Sequence, residues 1–395
     1  MANILKKTLF ILLISILIVG MLPVSAIAVN RDNRQLDPIH DIYINPLYAH
    51  EVTEADFQKA AVCAAETGTV YHDNPQDAGL ELREGMMNRV ETVTVNFQTT
   101  TYTETYIKSM MREIVAAATA HTGTPNEGDY LKWQYGGWEC SVSGYVTNNV
   151  YYLGFTYTMP YYTTAAQENE MDAAVAALLA DLAPAGTDYQ KVKTVYDWIC
   201  DNVSYDHKNL NDNTYKLKHT AYAALINETA VCQGYALLLY RLALEMDIDC
   251  RLIPGDSDGD GKDDHAWNVI CLDGLYYNVD ATWDASYAAS DHYRYFLVTD
   301  ENFPNHARNA DYGTTSFYST YPMGDVDYDP TVLFGDVNSD GKVNGKDSIL
   351  LAQYLAEWEV QINLNAADVN GDGRVNGKDS ILLAQYLAEW DVTLG

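Results

Sequence analysis

The fold class this sequence predicts is α+β in three parts. An α+β N-terminal region leads into a core where a buried helix packs on an antiparallel sheet, and a small all-α unit closes the chain. Three observations predict it. Residues 232–244, Cys-Gln-Gly-Tyr-Ala-Leu-Leu-Leu-Tyr-Arg-Leu-Ala-Leu, are apolar on nearly every side, the pattern of a helix enclosed in a core. Residues 266–272 and 275–280 are strand-like runs joined by Asp273-Gly274, the strongest short hairpin signal. Residues 336–360 recur at 368–392 and differ only at Ser339/Gly371, Lys342/Arg374 and Glu359/Asp391.

With 395 residues, the chain has room for two to four domains of about 100 to 200 residues each. Its 55 acidic and 24 basic residues leave a net charge of −31. That field repels phosphate backbones and anionic lipid, so nucleic acid and membrane surfaces are poor partners. Hydrophobic residues at 48% exclude wholesale disorder.

Taken in order, residues 1–28 read as an export signal. Lys6 and Lys7 precede an uncharged run from Thr8 to Leu22, then Pro23 and the small residues Ser25, Ala26 and Ala28. The run is shorter than the roughly 20 apolar residues a membrane span needs. Cleavage after Ala26 or Ala28 would leave a secreted, extracellular protein with no membrane span; an uncleaved anchor is the alternative. Cys63, Cys140, Cys200, Cys232, Cys250 and Cys271 are too widely scattered for a disulfide scaffold or a zinc cluster, although export permits a disulfide among them.

Residues 31–185 form the expected N-terminal α+β domain. Stretches 88–98, 133–146 and 150–161 are β-rich, and 105–120 and 167–182 have helical composition. Nothing there carries recognisable chemistry, which leaves a contribution to substrate choice. Residues 186–325 form the second expected domain. Val192, Val195, Trp198 and Ile199 make an apolar stripe on its leading helix.

Cys232 opens the buried helix, where free amides and the positive dipole end favour a thiolate. On its own such a cysteine is more often inert. The hairpin changes the argument. Its two-residue turn pairs Leu272 with Leu275 and carries the register outward until Trp267 faces Asp280. His265, two residues from Trp267, falls on the face of Asp280 as its diagonal neighbour. An Asp-oriented imidazole and a helix-start thiol are the parts of nucleophilic acyl chemistry. A structural histidine or a metal ligand is the alternative for His265.

Three blocks, Ala230-Val231-Cys232-Gln233-Gly234-Tyr235-Ala236, Asp264-His265-Ala266-Trp267-Asn268 and Asn278-Val279-Asp280-Ala281-Thr282-Trp283, resemble those of the transglutaminase-like superfamily, whose core is papain-like. The resemblance spans about residues 186–300. It implies Cys232 as nucleophile, His265 as general base and then acid, and Asp280 as the residue that orients the imidazole. The Cys232 amide would supply part of an oxyanion hole, with the second donor left open. His219 and Tyr222 are candidate neighbours. An acidic loop, Asp256–Asp264, precedes the histidine. It has oxygens at positions 1, 3, 5 and 9 of a calcium loop but Trp267 at 12, so a third calcium site and a solvated turn stay open.

Residues 326–332 read as a linker, and 333–395 hold the duplication. Each copy opens on a loop with oxygens at positions 1, 3, 5, 7, 9 and 12 around a glycine at 6. The first set is Asp336, Asn338, Asp340, the Lys342 carbonyl, Asn344 and Asp347. The second is Asp368, Asn370, Asp372, the Arg374 carbonyl, Asn376 and Asp379. A hard cation that wants six to eight oxygens needs that spacing, which predicts two calcium ions, Ca2+.

Each loop is followed by an apolar helical stretch with no preceding helix partner, so each unit is half an EF-hand. Such pairs resemble the type I dockerin, the plug that inserts into a cohesin module of a cellulosome scaffoldin. The resemblance implies cohesin-facing residues Gly345, Lys346, Ala352 and Gln353, repeated as Gly377, Lys378, Ala384 and Gln385. It also implies two equivalent binding orientations, and calcium-dependent folding.

Together these readings point to a secreted, cellulosome-associated, cysteine-dependent acyl-transfer enzyme acting on protein or peptide, as a protease or amidase or as a cross-linking transglutaminase. The rivals are an inactive binding or scaffold component and an accessory of polysaccharide degradation. For the last, no carboxylate pair suits a glycosidase.

Overall fold

The computed structural model describes residues 34–395 apart from 46–51, 53–56, 58–69, 288–292, 331–332, 341 and 391. The expected export segment, Cys63 and Gly341 lie outside the described residues.

The N-terminal region is a five-stranded antiparallel sheet of β1 (Arg34–Gln35), β2 (Ile39–Ile44), β3 (Thr92–Thr99), β4 (Gly137–Thr147) and β5 (Val150–Thr158). Its order is β1-β4-β5-β3, with β2 also on β4. Alternation puts Val95, Phe97, Cys140, Val142, Leu153 and Phe155 in one core with helices α1 (Pro75–Met87) and α2 (Glu104–Ala118). The sequence reading has no counterpart for α1, because its buried positions include Gly79 and Arg83 and so break the apolar period. Gly79 sits where a Cβ would lie 2.5 Å from the Cβ of Ala117, so glycine is what lets α1 and α2 approach closely.

Helices α3 (Ala165–Leu182) and α4 (Asp188–Asn202) each begin with a capping box, Thr164 with Gln167 and Thr187 with Gln190. Helix α4 buries Val192, Val195, Tyr196, Ile199 and Cys200. Trp198, expected in that stripe, is only half-buried. Tyr196 takes the inner place because its hydroxyl donates to Asp284 Oδ2 at 2.5 Å.

The second core surrounds α6 (Cys232–Glu245), buried from Cys232 to Leu244 and flanked by α5 (Ala221–Ile226). It lies on a sheet of β6 (Cys250–Asp256), β7 (His265–Leu272), β8 (Leu275–Val279), β9 (Phe296–Val298) and β10 (Ala307–Arg308), in the order β9-β8-β7-β6-β10. This is the mixed helix and antiparallel-sheet class the sequence predicts. The hairpin register runs from Leu272↔Leu275 to Asn268↔Val279 as expected. Its turn residues Asp273 and Gly274 both take positive φ, 53° and 81°. Helix α7 (Ala281–Asp284) follows the hairpin.

Beyond the sheet the chain stays attached to it. Tyr276 N donates to Pro322 O at 2.8 Å, and Tyr328 N to Leu297 O at 3.0 Å. The C-terminal unit packs α8 (Gly345–Leu355) on α9 (Gly377–Leu387) over a small core of Val337, Leu351, Ala367, Val369 and Leu383. Its second loop abuts the hairpin turn. A Cβ on Gly371 would lie 2.7 Å from the Asp273 carbonyl, which accounts for glycine where the first copy has Ser339. Among the described residues no helix is long and apolar enough to cross a membrane.

Candidate active site and calcium loops

Helix α6 starts abruptly after the extended Val231, and no side chain caps it. Gly234 makes this start possible, since a Cβ there would lie 2.6 Å from Ala230 Cβ and 2.9 Å from Thr220 O. Replacing it with alanine would cost about 1–3 kcal/mol of overpacking. Tyr205 pairs in parallel register with Ala230, two residues before the thiol.

His265 opens β7 and Asp280 follows β8, so the hairpin brings them together: His265 Nε2 lies 2.8 Å from Asp280 Oδ2. Cys232 lies close enough to the same imidazole to raise its pKa, and its Sγ donates to the Asp264 carbonyl at 4.0 Å. With Nε2 on Asp280, Nδ1 is the ring nitrogen left for the thiol. The other Asp280 oxygen, Oδ1, accepts from the amides of Thr282 at 2.8 Å and Trp283 at 3.1 Å. All three expected residues are buried and meet at one point.

Burial disfavours a charged His265, but the Asp280 carboxylate, its hydrogen bond and Cys232 outweigh burial and push the imidazole up to about 10. Burial opposes ionisation of Asp280 too, yet His265 and His306 hold its carboxyl well below the usual range. Burial pushes Asp284 up to about 7.

Cys232 and His265 border a cleft of about 550 Å³, walled by Tyr205, Leu210, His219 and Trp283, with Asp280 behind the imidazole. Lys218 lines it too. Lys218 Nζ donates to the carbonyls of Asn209 at 3.1 Å, Leu210 at 3.0 Å and Asp212 at 3.1 Å, which folds the loop that walls the cleft around the ammonium. His219 faces the cleft. The Tyr222 hydroxyl instead donates to Glu170 Oε2 at 2.6 Å. Gln233 Nε2 donates to the Trp133 carbonyl, so the N-terminal region anchors the nucleophile's neighbour. The Tyr205 hydroxyl makes no hydrogen bond among the described residues.

Sequence reasoning missed one residue. His306 Nε2 lies 3.1 Å from Asp280 Oδ2. It precedes a two-residue edge strand, outside the three motif blocks and with no periodicity to mark it.

In the C-terminal loops, Asp347 and Asp379 are fully buried. Asp347 accepts from Asn338 N at 3.1 Å and Asn344 N at 2.8 Å; Asp379 accepts from Asn370 N at 3.2 Å and Asn376 N at 2.8 Å. Asp336 Oδ1 accepts from Asp340 N, and Asp368 Oδ1 from Asp372 N. Burial raises the Asp368 carboxyl above its ordinary value, and Asp379 and Asp372 add repulsion. Asp372 Oδ1 is buried without a partner. Converging, under-compensated carboxylates suit a hard divalent cation. The outward residues Gly345, Lys346 and Ala352 are exposed, as are Gly377, Lys378 and Ala384, while Gln353 and Gln385 are half-buried.

In the acidic loop, carboxylates of Asp256, Asp258 and Asp260 lie within 4.8 Å of one another. Asp264 turns instead to Ser257, accepting from its amide at 2.9 Å and its hydroxyl at 3.0 Å. Cys140, Cys200, Cys232, Cys250 and Cys271 are unpaired.

Residues 176–281 match the family model of the transglutaminase-like superfamily, and residues 334–388 that of the dockerin type I domain. The chain joins a transglutaminase-like domain to a type I dockerin. Kyphoscoliosis peptidase of Homo sapiens is 30% identical over 133 residues, 31% of this chain and 19% of its own length. The Mus musculus protein of that name is 32% identical over 117 residues, 27% and 17% of the two chains. The chain thus spans less than a fifth of these relatives. Among solved structures, the crystal structure of a TGase aligns with a TM-score of 0.27 and 18% identity, over 35% of this chain and 43% of that one.

Proposed function

We propose that this protein is a secreted cysteine-dependent acyl-transfer enzyme that cleaves amide bonds in protein or peptide, carried on a cellulosome by its dockerin. The observation that supports it is that Cys232 and His265 line one cleft while Asp280 holds the imidazole from behind. With the proton of the pair on His265 Nδ1, the Cys232 sulfur attacks the carbonyl carbon. The amide oxygen takes up negative charge beside the amide at the start of α6. His265 then protonates the departing amine, which leaves a thioester. Water attacks that thioester, gives one proton back through the imidazole, and releases the acid with the thiol restored. The name of the curated relatives, a peptidase, favours water over an amine as acceptor.

On this reading residues 31–185, 186–325 and 333–395 are three domains, with 326–332 between the last two, and the first lends Tyr130, Trp133, Met171 and Val175 to the core of the second. Calcium, when bound by the residues at positions 1, 3, 5, 7, 9 and 12 of each loop, neutralises carboxylates that otherwise repel one another. The same chemistry makes the cohesin contact calcium-dependent.

The test is alkylation of Cys232 by iodoacetamide, followed by peptide mapping, alongside cleavage of a labelled casein. Cys232 should alkylate far faster than Cys271 and lose that advantage in His265→Ala. Equal rates at the two thiols, with no effect of His265→Ala, would remove the catalytic reading. Incorporation of a labelled amine in place of cleavage would reassign the acceptor.

A further inference from the structure

We infer that His306 is a second histidine of the catalytic centre, a positioning residue that holds the Asp280 carboxylate in the orientation needed by His265. The inference rests on the reading of Cys232, His265 and Asp280 as a catalytic unit.

Asp280 is 1% exposed, so water does little to orient it. An ionised carboxylate offers about four acceptor directions, and here four donors face it. The Thr282 and Trp283 amides fix Oδ1. On Oδ2, His265 Nε2 stands at 2.8 Å and His306 Nε2 at 3.1 Å. The second imidazole is itself held. Its Nδ1 lies 2.9 Å from the Pro304 carbonyl, an acceptor only, so both of its nitrogens face oxygen acceptors. Its ring stacks on Phe303 at 3.8 Å between centroids and packs against Trp283 at 4.4 Å and Trp267 at 5.0 Å. The side chain is 0% exposed. On the following residues, Ala307 and Arg308 pair with Asp256 and Gly255 of β6, which joins His306 to the sheet that carries His265.

Elementary geometry gives the consequence. With His306 absent, Oδ2 keeps a single donor in a dry site, and the carboxylate is free to tilt about the two amides on Oδ1. The His265 ring follows it, and Nδ1 moves relative to the sulfur. Misplacement by about 1 Å can cost on the order of 100-fold in rate. His306 touches neither sulfur nor cleft, so its whole effect runs through Asp280.

Two substitutions separate this role from packing. His306→Phe keeps an aromatic ring and removes the donor. His306→Gln gives up the ring and keeps an N–H able to reach Oδ2. In the full chain with calcium, His306→Phe should lower the Cys232 alkylation rate and the kcat for casein cleavage by about 10- to 100-fold with KM unchanged. His306→Gln should recover most of that loss. In the unmodified protein, proton NMR should show two downfield imidazole N–H resonances belonging to the Asp280 cluster, one from each histidine, which tests the contact even if a variant misfolds. A wild-type alkylation rate in a folded His306→Phe, a Gln variant as slow as Phe, or a single downfield resonance lost in His265→Ala would each overturn the inference. Any of these alongside a fast, His265-dependent Cys232 leaves the catalytic reading standing. A wild-type Cys232 no faster than Cys271 overturns both.

Discussion

Two sets of buried carboxylates in this chain are satisfied in opposite ways. Asp280 is enclosed by four donors that the fold itself supplies, two amides and two imidazoles. Asp347 and Asp379 are equally buried and accept from backbone amides, but Asp379 also lies against Asp368, and Asp372 Oδ1 of the same loop has no partner. A buried charge must be paired or it destabilises the state that buries it. The first site carries its counter-charge in the sequence; the second leaves room for one from solution. The difference also follows size. The core around α6 has dozens of buried apolar side chains to offset desolvation, whereas the dockerin core is Val337, Leu351, Ala367, Val369 and Leu383.

Chelation is the largest expected break in that comparison. Excess chelator should abolish cohesin binding and the helical signal of α8 and α9, while Cys232 keeps its alkylation rate. Circular dichroism on the full chain and peptide-mapped alkylation read the two halves separately. Loss of thiol reactivity on chelation would mean the halves are not independent, and the contact of Gly371 with the Asp273 carbonyl is where coupling would enter. Next in size is Asp280→Asn, which keeps the shape but removes the charge opposite two imidazoles. Casein cleavage should fall by about 10²- to 10⁴-fold, with calcium-dependent cohesin binding untouched.

Tyr205→Phe should have a smaller effect. Its hydroxyl lies in the cleft beside Cys232 without a protein partner among the described residues, which suits the second donor to a carbonyl oxygen that becomes negative. Removing one such donor costs on the order of 10²-fold or less in kcat. Alkylation of Cys232 generates no oxyanion, so its rate should stay unchanged. A parallel fall in both rates would assign Tyr205 to the thiol instead.

Much of this was legible from residues alone, for reasons that differ by region. The hairpin is local: Asp273-Gly274 sets the turn, the turn sets the register, and the register delivers His265 to Asp280. The calcium loops are legible because coordination fixes spacing. His306 was not legible, since its contact with Asp280 depends on an edge strand of two residues that no periodicity announces. Helix α1 was hidden because close packing on α2 requires Gly79 where a pattern search wants an apolar side chain. That Tyr196 is buried beside the stripe of Val192, Val195, Trp198 and Ile199 was not legible, because nothing local reveals that it answers Asp284.

The smallest effects should come from pH, which separates the two carboxylate sites from opposite ends. Falling pH reaches the loops first. Protons compete with calcium for the loop carboxylates, so the loop loses calcium while Asp280, held well below the carboxylate range, is still ionised. Rising pH up to about 10 acts on the transglutaminase-like region. His265 has its folded value raised from 6.5 to about 10, so its stabilisation is complete below 6.5 and lost as pH climbs through about 10. Asp284, raised from 3.8 to about 7, stabilises fully below 3.8 and progressively less through about 7, in the same sense. Thermal melts with calcium present should show the catalytic transition drifting down between pH 7 and pH 10 and the dockerin transition unmoved. His265→Ala should flatten the upper part of that drift. A drift of equal size in the variant would mean that the imidazole is not the group titrating.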